Sequence, residues 1–321
     1  RWDSEEFEIS RRASISRLQA QKADPEVISD LAFKRLVYGN QHVLSGNILG
    51  SQEILEQMSV ADLQAYYQRA LSPSIARLHV VGDVAENEVM KSVAGLDKSW
   101  QAKAVSFAEY QVPARPESPG LYFIDVPGAK QSVLQIGYPA MARTDDDHYP
   151  ATVANYRLGG GGFASEFTQQ LRESKGYTYS IGAGFSGTDI RGPFGIKSNV
   201  RTNVTLESIA LIRDILAGYG DNFNNKDLEV TQGFLLKSQA RAFETMGSKL
   251  GLLQDMSAYG WPADYAVRRQ DIVRNMTVEE IQRLAAEYLD PDRMIYLVVG
   301  DAASQLERLE SLEIGKPLTL D

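Results

Sequence analysis

The stretch that decides the fold reads LGGGGFASEFTQQLRESKGYTYSIGAGF and runs from Leu158 to Phe185. Four consecutive glycines come first. The segment after them has apolar residues at every fourth position, which predicts a short amphipathic helix. Gly176 suits the left-handed backbone conformation in which many helices end, and beyond it the side chains alternate as in a β-strand. The stretch therefore predicts a glycine turn, a helix and a strand in succession.

An arginine and a tyrosine flank the predicted corner between that helix and that strand. The predicted apolar face of the helix consists of Phe163, Phe167 and Leu171. Arg172 falls near the helix end, and Tyr179 is predicted to share one strand face with Tyr177, so that Arg172 and Tyr179 can converge. A planar guanidinium and a phenolic hydroxyl both suit a peptide carbonyl or an oxyanion. From spacing alone, a surface arginine and a packed tyrosine remain the alternative.

The glycine run is the second candidate site. It consists of Gly159, Gly160, Gly161 and Gly162. Backbone amides at a helix N-terminus can bind an anion. This run, however, follows a predicted helix rather than a strand and lacks the lysine or acidic partner of a nucleotide site. Two interpretations stay open, a flexible turn between two helices or a loop that binds a polypeptide substrate.

The composition excludes several classes of protein. No apolar run in the 321 residues approaches the roughly 18 to 20 that a membrane span needs. The absence of cysteine excludes disulfides, thiolate zinc clusters and a cysteine nucleophile. A formal net charge of -9 argues against nucleic acid as the main partner, because phosphate contacts need a basic face. The first residue is arginine, so a signal peptide can have been removed, and the compartment stays open.

A proline-rich stretch divides the sequence into two predicted domains. Three prolines and few apolar residues occur within 112–120, a composition typical of an extended linker. We therefore predict that 1–111 is the C-terminal part of a first domain and that 121–321 is a second domain. Helices are predicted at Ser4–Gln21, Asp24–Val37, Ser51–Met58, Ser59–Leu71, 85–96, 145–158, Leu206–Ala217, Lys226–Ala242 and Ser248–Tyr259. Strands are predicted at Ile75–Val81, Leu121–Val126 and Ser132–Tyr138, with a hairpin over Tyr177–Val200.

The sequence contains an internal repeat. Residues 53–84 align without a gap on residues 271–302, with 10 of 32 positions identical and Val-Val-Gly-Asp near the end of both copies. The repeat predicts that a helix, a proline turn and a buried strand occur once in each domain. About 150 residues precede the second copy within its domain, whereas 52 precede the first. We therefore expect the first domain to lack its N-terminal part.

Zinc ligands are not expected in this chain. Its only histidines are His42, His79 and His148, and neither H-E-x-x-H nor H-x-x-E-H occurs. Each histidine is interpreted as structural. The acidic run at 145–147 is interpreted as the start of a helix, where acidic residues are favoured by the helix dipole. We therefore predict no metal-binding residue in this chain.

Around its glycine turn the sequence resembles the pitrilysin/insulinase family of zinc metallopeptidases, the inverzincins, which includes mitochondrial processing peptidases and bacterial zinc proteases. LGGGGFASEFTQQLRESKGYTYSIGA is similar to the signature of the family's second domain, in which a glycine turn precedes a helix ending in Leu-Arg-Glu. Asn40-Gln41-His42 lies where the family has a His-Pro loop. The resemblance implies an α+β fold of two similar domains, each a mainly antiparallel sheet covered by helices, the first one incomplete.

The resemblance also implies a division of labour between the two domains. In that family the first domain binds zinc through H-x-x-E-H and a distal glutamate, and the second supplies an Arg–Tyr pair that holds the substrate. That pair corresponds here to Arg172 and Tyr179. A glycine-rich loop of the non-catalytic processing subunit contacts precursor peptides, and by resemblance the shorter run Gly159–Gly162 is the substrate-binding candidate. Zinc is expected in the missing segment or in a partner subunit.

Two hypotheses follow. In the first, the chain is the C-terminal part of a zinc metalloendopeptidase unit; it binds polypeptide, is inactive alone, and assembles as a homo- or hetero-oligomer with another peptidase-family subunit. The reaction implied is attack of a zinc-activated water on a peptide bond. In the second, the chain is part of a zinc-free, non-catalytic subunit that is a structural or substrate-binding partner of an active one. By resemblance to exported bacterial relatives, a periplasmic or secreted location is favoured.

Overall fold

Two compact groups of residues make up the computed structural model, which describes residues 2–96, 100–241 and 243–320. Unit 1 consists of Arg1–Ala20, Ile48–Tyr110 and Lys237–Tyr265. Unit 2 consists of Gln21–Asn47, Gln111–Leu236 and Ala266–Asp321. These units are sets of residues in mutual contact, and the predicted domain boundaries at 1–111 and 121–321 stay a prediction.

Helices account for most of the regular structure. In the described residues they are α1 (Ser4–Gln21), α2 (Pro25–Tyr38), α3 (Gln52–Gln57), α4 (Val60–Ala70), α5 (Glu86–Val93), α6 (His148–Asn155), α7 (Thr205–Asn222), α8 (Asn225–Arg241), α9 (Met246–Tyr259), α10 (Tyr265–Asn275), α11 (Val278–Tyr288) and α12 (Ala302–Leu309). The helices predicted from sequence agree with these apart from their ends and the early end of α6. Ala242, at the end of one predicted helix, lies outside the described residues.

Unit 2 contains a six-stranded mixed sheet. Its strands are β1 (Gly120–Asp125), β2 (Gln131–Met141), β3 (Thr178–Phe185), β4 (Gly192–Arg201), β5 (Ile295–Gly300) and β6 (Leu318–Thr319). The spatial order is β3-β4-β2-β5-β1-β6, in which β1 pairs parallel with β5 and β6 and the other three pairings are antiparallel. The predicted α+β class and the predicted hairpin, formed by β3 and β4, are confirmed.

Both faces of the sheet are packed. On one face, α2 places Phe33 and Val37 against Val133, Leu297 and Val299, all of which are buried. Asp24 caps that helix by accepting from the backbone of Glu26, directly before a proline that suits the first helical position. The opposite face carries the larger core, to which α6, α7, α11 and α12 contribute. Each buried side chain of this size contributes roughly 1.5 to 3 kcal/mol, so the sheet is a rigid base for the loops at its ends.

The repeat forms the same helical structure twice but forms the strand only once. Helix α4 begins where the hydroxyl of Ser59 accepts from the backbone of Asp62, and α11 begins where Thr277 accepts likewise from Glu280. A short 3₁₀ turn follows each helix, at Pro73–Ile75 and Pro291–Arg293. The second copy then continues into the buried strand β5, whereas residues 76–81 of the first copy form neither helix nor strand.

The strand predicted at Ile75–Val81 is therefore wrong. Strand β5 is paired on one side with β1 and on the other with β2, so its backbone donors and acceptors are satisfied. Within the described residues no strand adjoins residues 76–81, and Leu78 and Val80 are exposed. Among the described hydrophobic side chains of unit 1, only Leu18 is buried. Within its described residues, unit 1 thus contains no strand of the sheet that the resemblance implies for a first domain.

Candidate functional site

Two π-helical segments flank the glycine turn that joins α6 to β3. The first, Tyr156–Gly160, continues directly from α6, and the second, Thr168–Ser174, carries Arg172. A 3₁₀ turn at Gly162–Ala164 lies between them. π-Helical turns are rare and occur frequently at functional sites. The helix predicted across this region is therefore replaced by shorter segments of different pitch.

The glycines are required by close packing. A Cβ atom on Gly159 would lie 2.5 Å from the Cβ of Ala183, and one on Gly161 would lie 2.6 Å from the carbonyl oxygen of Tyr156. Gly162 has φ +56, in the left-handed region that side chains disfavour. Gly159 is buried, Gly160 and Gly162 are exposed and Gly161 is intermediate. The turn therefore packs on the sheet instead of forming an open loop.

Side chains fasten this turn to its surroundings. Arg157 pairs with Asp227 at 3.0 Å and also donates to the carbonyl of Ala164. Gln169, which lies in the second π-helical segment, donates to the carbonyl oxygen of Phe163 at 2.6 Å. Asn155 donates to the carbonyl of Ala183 on β3 at 2.7 Å. The turn is thus tied to a helix, to the segment that carries Arg172, and to an edge strand.

The structure brings Arg172 and Tyr179 together, as predicted. The guanidinium carbon of Arg172 lies 4.6 Å from the centre of the Tyr179 ring and 4.7 Å from the centre of the Phe163 ring. A cation over an aromatic face within about 6 Å is attracted to the ring. Phe163 is 62% exposed, so the prediction that it shares a buried face with Phe167 and Leu171 is wrong for this residue. The left-handed Gly162 and the 3₁₀ turn rotate its side chain out of that face.

Part of the Arg172 guanidinium has no partner. Its Nε lies 3.2 Å from a carboxylate oxygen of Glu173. Its two Nη groups make no hydrogen bond within the described residues, nor does the hydroxyl of Tyr179, whose side chain is 82% exposed. The Arg172 side chain is 28% exposed, so its Nη groups and the Tyr179 hydroxyl are hydrogen-bonding groups without a protein partner in the described residues, next to the exposed Phe163 ring.

A local irregularity of β3 places Tyr179. The strand begins at Thr178, and its pairing with β4 shifts register between Thr178 and Ile181. The prediction that Tyr177 and Tyr179 share one strand face is therefore wrong, because Tyr177 precedes the strand. The Thr178 hydroxyl lies 2.6 Å from the carbonyl oxygen of Asn199 and accepts from the backbone of Ser180 at 3.1 Å. Irregularities of this kind redirect side chains and are frequent beside active sites.

A polar cleft of about 570 Å³ adjoins the glycine turn. Its lining includes Gly159, Gly160, Ser180, Lys197 and Asn199. Lys197 pairs with Asp30 at 2.8 Å, and Asn199 donates to Glu26 at 2.7 Å. Two of the four predicted substrate-binding glycines therefore border a cleft, and their role in binding stays a prediction.

The donor set of the described residues does not fit zinc. No group of three His, Cys, Asp or Glu side chains within residues 2–96, 100–241 and 243–320 is arranged to hold a metal ion. His42 is buried, and its Nδ1 accepts from the backbone of Leu44. Burial, reinforced by Arg143, lowers the pKa of His148.

Within residues 2–96, 100–241 and 243–320 no helix is both long and apolar enough to cross a bilayer.

Comparison with known proteins identifies the family. Residues 57–233, more than half of the chain, match the family described as peptidase M16 inactive domain. The chain belongs to the peptidase M16 family, and the resemblance to the pitrilysin/insulinase peptidases is confirmed. It is 26% identical over 224 residues to an uncharacterized zinc protease of Streptomyces coelicolor, covering 66% of this chain and 47% of the relative. A Helicobacter pylori relative named a non-peptidase homolog is 20% identical over 292 residues, covering 89% of this chain and 66% of the relative.

A solved structure shares the fold. The peptidase M16 inactive domain from Pseudomonas fluorescens aligns with a TM-score of 0.84 and 23% identity, covering 93% of this chain and 71% of that one. At that identity the likeness shows a common fold. The chain spans about half to two thirds of the lengths of the two relatives above.

Proposed function

We propose that this chain is the substrate-binding part of a peptidase M16 unit, in which Arg172 and Tyr179 hold a backbone carbonyl of an extended polypeptide. The observation that carries the proposal is the Arg172 guanidinium, whose two Nη groups make no hydrogen bond within the described residues and whose carbon lies 4.6 Å from the centre of an exposed tyrosine ring. Glu173 occupies the Nε edge, so the donors that remain lie on the distal edge of the guanidinium. That edge can donate to a peptide carbonyl, and the Tyr179 hydroxyl supplies a further donor.

The chemistry of these donors supports a role beyond simple binding. Hydrogen-bond donors held in place before reaction stabilise negative charge that develops on a carbonyl oxygen when it is attacked. Arg172 and Tyr179 stand on a π-helical segment and a hydrogen-bonded strand irregularity, so both are supported by backbone bonds. In this proposal zinc belongs to a segment outside this chain or to a partner subunit.

The test is a peptidase assay of the full-length encoded protein with Arg172→Ala and Tyr179→Phe. We expect both to lower kcat/KM on an unfolded polypeptide, while Arg274→Ala and Tyr66→Phe, matched changes of exposed residues elsewhere, leave it unaltered. Arg274 pairs only with its helical neighbours Asp271 and Gln270 among the described residues, which makes it a suitable control. Equal rates for all four variants would remove the role assigned to Arg172 and Tyr179.

A second candidate is a zinc-free subunit that binds polypeptide for an active partner. It is favoured by the Helicobacter pylori relative, whose name describes a non-peptidase homolog. Two measurements on the full-length protein distinguish the candidates: its zinc content, and the effect of a chelator on its peptidase activity. Under the first candidate, the protein contains zinc and loses peptidase activity on chelation. Under the second candidate, the protein contains no zinc and cleaves nothing, yet Arg172→Ala still weakens its binding of unfolded polypeptide.

A further inference from the structure

Phe163 is an exposed aromatic residue on a rigid turn. Its side chain is 62% exposed, while Phe167 and Leu171, which follow at helical spacing, are fully buried. The backbone around it is nevertheless fixed, since its carbonyl accepts from Gln169 at 2.6 Å and the hydroxyl of Ser165 donates to the carbonyl of Gly162 at 2.7 Å. A large apolar ring is therefore exposed to solvent on a turn whose backbone is fixed by hydrogen bonds.

The ring lies against the cation of the candidate site. The guanidinium carbon of Arg172 is 4.7 Å from its centre, nearly the same distance as from the centre of the Tyr179 ring. With Glu173 at Nε, the guanidinium is contacted by two rings and one carboxylate, which together restrict its plane and its rotation. Gln169, which binds the Phe163 carbonyl, lies three residues before Arg172 in the same π-helical segment.

We propose that Phe163 is a positioning residue of the Arg172–Tyr179 site. Its ring holds the guanidinium plane so that the two Nη groups face an incoming polypeptide carbonyl. The glycine turn then contributes to the site through Phe163, while Gly159 and Gly161 are packed so closely on Ala183 and Tyr156 that neither has room for a side chain. This inference rests on the proposed function, because it assigns to Phe163 an effect exerted through Arg172.

The experiment measures binding of fluorescein-labelled β-casein, an unfolded polypeptide, to the whole chain by fluorescence anisotropy. The variants are Phe163→Leu, which keeps apolar bulk without an aromatic face, and Phe163→Tyr, which keeps the face. We expect Phe163→Leu to weaken binding about three- to ten-fold, as for loss of a partly desolvated cation–π contact. Phe163→Tyr should bind as the wild type does. Melting temperatures within about 2 °C of wild type establish that the fold is kept.

A double-mutant cycle separates this inference from the proposed function. If Phe163 acts through Arg172, Phe163→Leu combined with Arg172→Ala binds no more weakly than Arg172→Ala alone. Weakened binding by Arg172→Ala together with wild-type binding by Phe163→Leu, or additive losses in the double variant, overturns the positioning role and leaves the proposed function intact. Unchanged binding by Arg172→Ala, or no binding by the wild type, overturns both.

A spectroscopic readout does not depend on the substrate. In NMR spectra of the whole chain, the Arg172 side-chain protons should be shifted upfield by the adjacent ring currents. Phe163→Leu should reduce that shift and Phe163→Tyr should preserve it. Identical Arg172 shifts in wild type and Phe163→Leu contradict the positioning role.

Discussion

The carbonyl of Arg172 accepts from the backbone of Gly176 at 3.0 Å, and three residues after Gly176 the Tyr179 ring returns to within 4.6 Å of the Arg172 guanidinium. The left-handed Gly176, at φ +61, reverses the chain between them. The backbone N–H of Tyr177 donates to the carbonyl oxygen of Leu171 at 2.8 Å, which completes the hydrogen bonding of the corner. Backbone bonds of the corner, rather than contacts between the two side chains, thus set their separation.

Tyr179→Phe should lower kcat/KM of the full-length protein about 100-fold with little change in stability. The phenolic hydroxyl has no hydrogen bond in the described residues, and the ring that contacts Arg172 is retained. Loss of one preorganised donor to a reacting carbonyl typically costs this much. Steady-state kinetics and thermal unfolding check both parts. A fall in rate with a matching fall in melting temperature would instead indicate a folding defect.

Thr178→Val should destabilise the protein by about 1 to 3 kcal/mol. The change removes the hydroxyl that bonds to the carbonyl of Asn199 and the backbone N–H of Ser180, and it leaves both of these part-buried hydrogen bonds unmade at the strand irregularity. Denaturant unfolding measures the loss. Thr178→Ser keeps the hydroxyl and should remain close to wild type, so equal losses for Val and Ser would refute the role of this hydrogen bond.

Gly159→Ala should destabilise the protein by about 1 to 3 kcal/mol, because overpacking forces neighbours to shift. The added methyl would lie 2.5 Å from the Cβ of Ala183 and 2.9 Å from the ring of Phe167. The matched control is Gly184→Ala on β3, where nothing lies within 4 Å of the added atom. Thermal unfolding compares the two. Similar melting temperatures for the two variants would show that the glycine turn accommodates the added methyl group without loss of stability.

The free energy of unfolding should fall as pH is lowered through the range just below 6.5, in part because of His148. Burial, then Arg143, lowers the pKa of His148, against an opposing effect of Asp145 and with a further lowering by Arg269. The folded state therefore binds a proton at lower pH than the unfolded state, so its stability is complete above the unfolded pKa of 6.5 and declines below it.

His148→Gln tests this pH dependence. The buried Nε2 of His148 has no hydrogen-bond partner in the described residues, so a proton there would be poorly accommodated. Urea titrations at pH 7.5, 6.5 and 5.5 should show a shallower decline for His148→Gln than for the wild type. Parallel declines would mean that other groups account for the pH dependence.

The fold of unit 2 was largely predictable because its signals are local. Side-chain alternation predicted β3, the hairpin predicted over Tyr177–Val200 included β4, and the Asp24-Pro25 start predicted α2. The lack of a strand at residues 76–81 was not predictable, because the same Val-Val-Gly-Asp sequence ends the strand β5 in the second copy of the repeat. A strand needs neighbours on its edges to satisfy its backbone, and the sequence of the strand does not contain them.

The candidate site was predictable in its two principal residues but not in its supports. The separation of Arg172 and Tyr179 across a helix-turn-strand corner indicated convergence. Phe163 was assigned to the wrong face because its spacing from Phe167 assumes a regular helix, which the left-handed Gly162 prevents. Glycine directly before an aromatic residue was the available signal. The sequence around Thr178 contains no comparable signal, because the role of Thr178 depends on the pairing of β3 with β4.

The π-helical segment at Thr168–Ser174 makes the site sensitive to chain length. Lys175 donates to the carbonyl of Gln170 at 3.1 Å, five residues back, so this turn holds one more residue than an α-helical turn would. Deletion of Gln169 or Gln170 would remove the extra residue of this turn and move Arg172 relative to the two rings. The position of Arg172 against both rings therefore depends on the length of this segment as well as on its side chains.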